Sequence, residues 1–379
     1  MPVLNPEALI DNRVEAIRAY HIYCGIQKAQ LDVSGGIDSA VMAGLLVLAL
    51  GPENVILDHT NINTNPVQTE RAVALGKALG CPVAVGDFTK VYEDILAVIY
   101  ESLRATAEGD EMVALTESIK ARLHEDPTIK GSIRSTLRAP LGRAYNRIMG
   151  GGIRHGTGNE CEDRYLRFYQ KGGDGEVDTN PIAMLSKGEV YQLAFALGRR
   201  FDALALANIL AERDLTPEDD VQAVSRVYGA TIKAIPSPDL WGTGDGHSDE
   251  AEFLTWTGAP FTYGRINPET GEITSIGTIE RVARFLDTDV PNELSQRYAD
   301  IDEWLFDGHL GASGMDQIIS IAVESPYFEG FTPAEVDTFL TAARKYEHIT
   351  RHKMNPNIPA LGNREDLVEA GILTNDLTL

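Results

Sequence analysis

Ser34-Gly35-Gly36-Ile37-Asp38-Ser39 places two hydroxyls and a carboxylate around a glycine pair, between a short apolar run and a long one. A strand, a glycine turn and a helix N-terminus in that order form an anion cradle, because unpaired amides and the helix dipole both favour phosphate. Ser34 and Ser39 flank the glycines, and Asp38 is a candidate oxygen ligand for Mg2+. A Walker A loop would need GxxxxGK[ST], whose Lys reaches the outer phosphates; that Lys is missing, and the spacing is not GxGxxG either. Two later stretches are dense in polar residues, HGTGNECED from His155 and QKGGDGEVDTNP from Gln170. Glu162 is a second carboxylate that could hold Mg2+ against phosphate oxygens together with Asp38. Lys187 opens a helix and could reach a triphosphate as a point charge, with Arg138 as a second candidate cation. Thr157 offers a hydroxyl and an amide, and Asp174 sits in a Gly-Asp-Gly loop with freedom to point into a site. The eight histidines form no HExxH pattern and the chain has no GxSxG, which disfavours zinc hydrolases of the HExxH type and serine hydrolases.

These residues need a scaffold, and the hydrophobic pattern supplies one. Apolar positions at helical spacing over Asn12 to Ala29 give way to an alternation of short strands and helices. Strands are predicted at Gln30–Val33, Asn54–Asn61 and Pro82–Phe88, and helices at Asp38–Leu50 and Pro66–Leu79, the latter with proline in its first turn. Such βαβ units build a parallel sheet, and open parallel sheets bind ligands outside the carboxyl ends of their strands, where the Ser-Gly-Gly stretch lies. Beyond Phe88 the pattern is mostly helical to about Arg147, with Glu108 to Glu125 reading as a solvated excursion. Gly150 to Gly152 break it before a further strand at Ile153–His155. A helix over Ser186–Leu197, two helices within Asp202–Tyr228 and a hairpin around NPETGE follow, and the last third reads as helical with a proline-containing tail. Without repeats, low-complexity tracts or a linker, residues 1–379 are expected to form one domain. Its nucleotide-binding core would span about 12–240, with insertions at about 103–128, 200–230 and 255–292 and a helical C-terminal part at about 293–379.

Composition narrows the partners. The chain has 379 residues, 43% hydrophobic and 23% charged, enough for a sizeable core. With 33 basic against 56 acidic residues its net charge is −23, which speaks against a nucleic-acid wrapper and against an anionic-membrane binder. No apolar run is long enough to span a bilayer, and the first residues do not resemble a signal peptide. Cys24, Cys81 and Cys161 are widely spaced, as expected for free thiols in a reducing cytoplasm.

The Ser34–Ser39 stretch is similar to the pyrophosphate-binding signature of the ATP pyrophosphatases, or PP-loop enzymes, which cleave ATP between the α- and β-phosphates. Within that superfamily the later stretches resemble the ammonia-dependent NAD+ synthetases, in the block reading GT-x-N-x-x-E, K-x-GDG-x-x-D-x-x-P and L-x-K. Thr157, Asn159, Glu162, Lys171, Gly173, Asp174, Gly175, Asp178, Pro181 and Lys187 stand at matching spacing. PSPDLWGTGDGHSDE resembles the family's PSADL…DE segment through Pro236, Ser237, Asp239, Leu240, Asp249 and Glu250. KGSIRSTLR resembles its KGN-x-x-ARxR helix, and RHKMNPNIP its HK-rich tail through His352 and Lys353. Departures are Asp32 where a Gly usually precedes the loop, Ser132 for Asn, Thr136 for the first Arg, and His59-Thr60-Asn61 where Met-Pro is usual. Met354 and Asn355 stand where the family's tail is commonly basic.

The resemblance implies an adenine nucleotide alpha hydrolase-like, Rossmann-like α/β fold: a parallel sheet flanked by helices, with helical insertions and a mostly helical C-terminal part. It implies an ATP-binding set of Ser34, Gly35, Gly36, Asp38, Ser39, Arg138, Thr157, Lys187 and Ser237, and Mg2+ on Asp38 and Glu162. Lys171, Asp174, Asp178, His352 and Lys353 would then face deamido-NAD+, with Asp174, Lys187 and Asp38 as the catalytic residues. The implied reaction joins ammonia to deamido-NAD+ through an adenylate, giving NAD+, AMP and pyrophosphate, in a cytoplasmic homodimer. Only about thirty residues precede the loop, so no glutamine-hydrolysing domain is expected and free ammonia is the expected nitrogen source. Two further readings remain open at this level: a PP-loop ligase acting on another carboxylate or nucleotide, and a non-catalytic nucleotide-binding protein.

Overall fold

The computed structural model describes residues 3–125, 127–160, 162–163, 169–212, 221–232, 234, 264–266, 273–275, 314–324, 332–334, 336–337, 340–341 and 362–374. The first helix, α1 (Pro6–Cys24), starts where Pro6 needs no intrahelical bond and the Asn5 side chain accepts from the Ala8 amide. It ends at Gly25, whose φ of 66° is left-handed and whose amide reaches the last carbonyls. The helix therefore begins earlier than its apolar spacing alone indicates, at the capping signal.

The chain then runs β1 (Ala29–Asp32), α2 (Ile37–Leu50), β2 (Val55–Asn61), α3 (Pro66–Ala78) and β3 (Val83–Asp87). Three helices, α4 (Thr89–Arg104), α5 (Gly109–Glu125) and α6 (Pro127–Ile148), precede the short strand β4 (Ile153–Arg154). The four strands form one parallel sheet in the order β3-β2-β1-β4. The chain thus steps outward from β1 to β3 and returns to place β4 on the other side of β1. A reversal of that kind opens a crevice at the carboxyl ends of the two strands that flank it, here β1 and β4.

Strand alternation sends Ala29, Leu31, Val33, Val55 and Leu57 into a core shared with α1, α2 and α7 (Lys187–Glu212). The α2 helix is apolar nearly all round because it is buried nearly all round. On the opposite face α6 lies over β1 and β2.

The expected helix at Ser186–Leu197 does not stop there: α7 continues to Glu212, and the next helix among the described residues is α8 (Ala223–Ile232). Gly198 is a point of close approach, not a terminator. A β-carbon there would lie 3.2 Å from the Ser225 Cα, so the glycine lets α8 pack closely on α7. Residues 267–272, the NPETGE stretch, lie outside the described residues; on either side of it β5 (Gly264–Ile266) pairs antiparallel with β6 (Ile273–Ser275). Further described helices are α9 (Met315–Glu324) and α10 (Arg364–Glu369). No helix among the described residues is long and apolar enough to cross a membrane.

Candidate active site

The loop after β1 has one conformation available to it. Gly35 has φ +82°, and a β-carbon there would lie 2.2 Å from the Gln68 carbonyl oxygen of α3, so only glycine fits. Ser39 Oγ donates to the Gly36 carbonyl (3.1 Å) and accepts from the Ser34 amide (3.2 Å), while the Gly36 amide donates to Ser34 Oγ (3.2 Å). The two serine hydroxyls lie 3.1 Å apart. These bonds hold the turn at the head of α2, whose N-cap, Gly36, makes no side-chain cap. The first-turn amides of α2 are thereby left to an anion.

Across the β1/β4 crevice stands the loop after β4. Asn180 Nδ2 donates to the Gly158 carbonyl (2.7 Å) and to Asp163 Oδ2 (3.1 Å), fixing the Gly156–Asn159 turn that carries the half-buried Thr157. Buried Asn159 joins the two loops: its Nδ2 donates to Asp38 Oδ1 (3.1 Å), and its Oδ1 accepts from the Glu162 amide (3.1 Å). One amide side chain therefore ties the Asp38 carboxylate to the backbone that carries Glu162, the other expected Mg2+ ligand. Asp163 beside them has a pKa well above the ordinary carboxylate range, through burial first and then through the charges of Glu162, Asp174 and Asp38. Glu162, Asp174 and Asp38 thus all lie within electrostatic reach of Asp163. Among the described residues no cluster of three or more His, Cys, Asp or Glu is arranged to hold a metal by itself.

Asp174 is pinned to α6. Its Oδ1 accepts from Ser135 Oγ (2.7 Å) and from the Gln170 amide (2.7 Å), and its own amide donates to Ser135 Oγ (3.2 Å). Gly173 permits this contact, since a β-carbon there would meet Ser135 Oγ at 2.5 Å. Lys171 is exposed beside this turn. Asp178 has a different setting: its Oδ2 accepts from the Arg154 amide (2.8 Å), so it anchors the segment alongside β4. Arg138 lies half-buried on α6.

Lys187 is the first residue of α7, and its side chain lies outside the described atoms. The N-terminus it occupies is built by reciprocal capping: the Ser186 amide donates to Glu189 Oε2 (2.9 Å), and the Glu189 amide to Ser186 Oγ (3.4 Å). Arg364 from the C-terminal segment closes the cap with two 2.8 Å bonds to the Glu189 carboxylate, and lies 3.9 Å from Glu160. Ser237, His352 and Lys353 fall outside the described residues, as does Cys161.

Asp163, Ser135, Asn180 and Arg364 go unmarked in the sequence reading. Only Arg364 lacked any local cue; the others lie inside the polar stretches or the α6 segment already singled out. His59, one of the departures, is a buried strand residue with Nδ1 2.7 Å from the Val33 carbonyl and Nε2 2.9 Å from Thr69 Oγ1. It braces the base of the loop.

The face of the sheet under α6 is unusually polar. Gln30 and Asp32 on β1, Asp58 and Thr60 on β2, and Arg154 on β4 all project from it, as the pairings Asp32↔Asp58 and Gln30↔Arg154 require. Gln30 Nε2 donates to Asp58 Oδ1. The Asp58 carboxyl is pushed up to about 8, by burial first and then by Asp32. Burial lowers the Arg154 pKa, opposed by the same two carboxyls.

The NAD synthase family model matches residues 9–203, just over half of the chain. The NH3-dependent NAD+ synthetase of Methanococcoides burtonii is 34% identical over 222 residues, which cover 58% of this chain and 74% of that protein. The enzyme of the same name from Archaeoglobus fulgidus is 29% identical over 201 residues, covering 52% and 70%. A solved NMN synthetase from Francisella tularensis superposes with a TM-score of 0.52 at 18% identity, over 93% of this chain and 96% of its own, and so has the same fold. With a pyrophosphatase-type loop and its partner loop facing one crevice, and relatives of this likeness, the chain belongs to the NAD synthase family.

Proposed function

We propose that the chain is an ammonia-dependent NAD+ synthetase, an ATP-consuming ligase that converts deamido-NAD+ and ammonia to NAD+, AMP and pyrophosphate. The observation that carries this reading is the Asp38–Asn159–Glu162 bridge across the β1/β4 crevice in a chain of the NAD synthase family. It joins the phosphate cradle to the polar loops that would receive the acid.

In the first step a carboxylate oxygen of deamido-NAD+ attacks the α-phosphorus of ATP, and the bond from that phosphorus to the bridging oxygen of pyrophosphate breaks. Ser34, Gly35, Gly36 and Ser39 would hold the departing pyrophosphate at the α2 N-terminus, with Lys187, Arg138 and Thr157 completing the ATP site. Asp38 and Glu162 would hold Mg2+, which when bound offsets phosphate charge; two carboxylates are what such an ion usually takes from protein beside a nucleotide. In the second step the ammonia nitrogen attacks the acyl carbon, the bond to AMP breaks, and the nitrogen sheds a proton. Asp174, held by Ser135, would orient the ammonia. Lys171, Asp178, His352 and Lys353 would contact deamido-NAD+, and Ser237 the ATP. The working form would be a cytoplasmic homodimer.

Purified protein with ATP, Mg2+, ammonium and deamido-NAD+ should yield NAD+, AMP and pyrophosphate in equal amounts by mass spectrometry, and Asp38→Ala should abolish all three. Nicotinate mononucleotide is the comparison acid. AMP with that acid and none with deamido-NAD+ would keep the ligase chemistry and overturn the substrate. Light scattering giving a monomer mass would overturn the dimer.

A further inference from the structure

The polar face beneath α6 holds more hydrogen-bond acceptors than donors. Gln30 Oε1, Asp58 Oδ2 and Thr60 Oγ1 are buried and have no hydrogen-bond partner among the described residues, although each of these three residues is at most 2% exposed. Buried polar atoms normally find partners, so three orphans on one face require a cause. They are neighbours by construction: Asp58 and Thr60 are two apart on β2, and the Gln30 amide is bonded to the Asp58 carboxyl. Asp32, directly paired with Asp58 and only half-buried, stands at the carboxyl end of β1 two residues before the phosphate loop. Tyr145 of α6 covers the face from above: its hydroxyl lies against Gly86, the β3 partner of Thr60, and Asp58 and Asp32 both help to raise its pKa after burial does.

We propose that Gln30, Asp32, Asp58 and Thr60 form a binding pocket for the ammonium co-substrate, with Asp32 at its mouth and Asp58 at its floor. This rests on the ligase reading above. Four acceptors suit the four N–H donors of ammonium, whereas a bare alkali cation of similar size takes more oxygens. Two carboxylates beside Arg154 leave one net negative charge, which a monovalent cation cancels and a divalent one over-compensates. Burial and Asp32 keep the Asp58 carboxyl protonated when the pocket is empty, and a bound cation returns it to carboxylate. Asp32, which departs from the Gly usual in the family, then has a role: it draws the cation toward the strand ends where the acid would be activated.

The test is direct binding of 15N-ammonium to the full chain by proton–nitrogen NMR, alongside steady-state amidation with ammonium varied and ATP–pyrophosphate exchange in its absence. Thr60→Val and Asp58→Asn are near-isosteric, and Thr60→Val removes a single orphaned hydroxyl. A slowly exchanging bound ammonium signal is expected in the parent protein and lost in both variants, with the KM for ammonium raised at least tenfold and pyrophosphate exchange within twofold of the parent. An unchanged ammonium KM in both variants, a proportional fall in exchange, or loss of the bound signal to an equal concentration of K+ would overturn the assignment. Bound ammonium without any amide product would leave the pocket standing and refute the ligase reading; amide product with no bound signal and unchanged KM would do the reverse.

Discussion

The two faces of the central sheet follow opposite rules. Toward α1, α2 and α7 the strands present Ala29, Leu31, Val33, Val55 and Leu57, all buried among other apolar groups. Toward α6 the same strands present Gln30, Asp32, Asp58 and Thr60, next to Arg154. A parallel sheet covered by helices is ordinarily apolar on both faces. One dry face and one charged face therefore divide the labour: the first supplies stability, and the second, with the loops at its carboxyl end, carries polar groups that folding alone does not need.

That division can be broken from either side. The largest effect is expected where the polar half depends on a buried ion pair: Arg364→Met would strand Glu189 and cost about 3–5 kcal/mol in urea unfolding. Because Glu189 caps the helix that opens with Lys187, pyrophosphate exchange should fall in the same variant. Loss of stability without loss of exchange would uncouple the C-terminal segment from the site. On the dry face Leu31→Ala should cost about 3 kcal/mol and leave the ammonium KM of the folded enzyme unchanged.

The pH dependence of stability sharpens the contrast. The Asp58 carboxyl titrates near 8 when folded and near its ordinary 3.8 when unfolded, so its contribution is complete below 3.8 and is lost as pH rises toward 8. Asp58→Asn should therefore gain on the parent by up to about 1.4 kcal/mol per pH unit between pH 5 and 8, measured by urea unfolding. His155 works in the other direction. Buried, with its Nε2 3.0 Å from that of His21, it is pushed down to about 3, so its contribution is complete above 6.5 and is lost as pH falls toward 3. The smallest effect is expected at Ser135→Ala, which removes both bonds between the Ser135 hydroxyl and Asp174 and should lower amidation several-fold, about 1 kcal/mol, with exchange preserved.

What could be read from the sequence was local. The strand–glycine–helix unit around Ser34–Ser39 announces itself within a dozen residues, because turn chemistry and hydrophobic period both change there. Asn5 and Gly25 bound α1 by the same kind of signal. The contacts that shape the site are not local. Ser135 meets Asp174 across 39 positions and Arg364 meets Glu189 across 175, and neither spacing has a periodicity to betray it. The continuous α7 shows the same limit: Gly198 resembles a helix stop, and only the arrival of α8 shows that a β-carbon there would crowd the Ser225 backbone. The polar α6 face was half legible, since Asp32 stood out against the family pattern while Asp58, in an ordinary strand, did not.

The most direct measurement follows oxygen. Deamido-NAD+ labelled with 18O in its nicotinate carboxylate, turned over with ATP and ammonium, should deliver one labelled oxygen to the phosphate of AMP and none to pyrophosphate. Label in pyrophosphate or in free phosphate, or AMP without label, would contradict attack of the acid on the α-phosphorus.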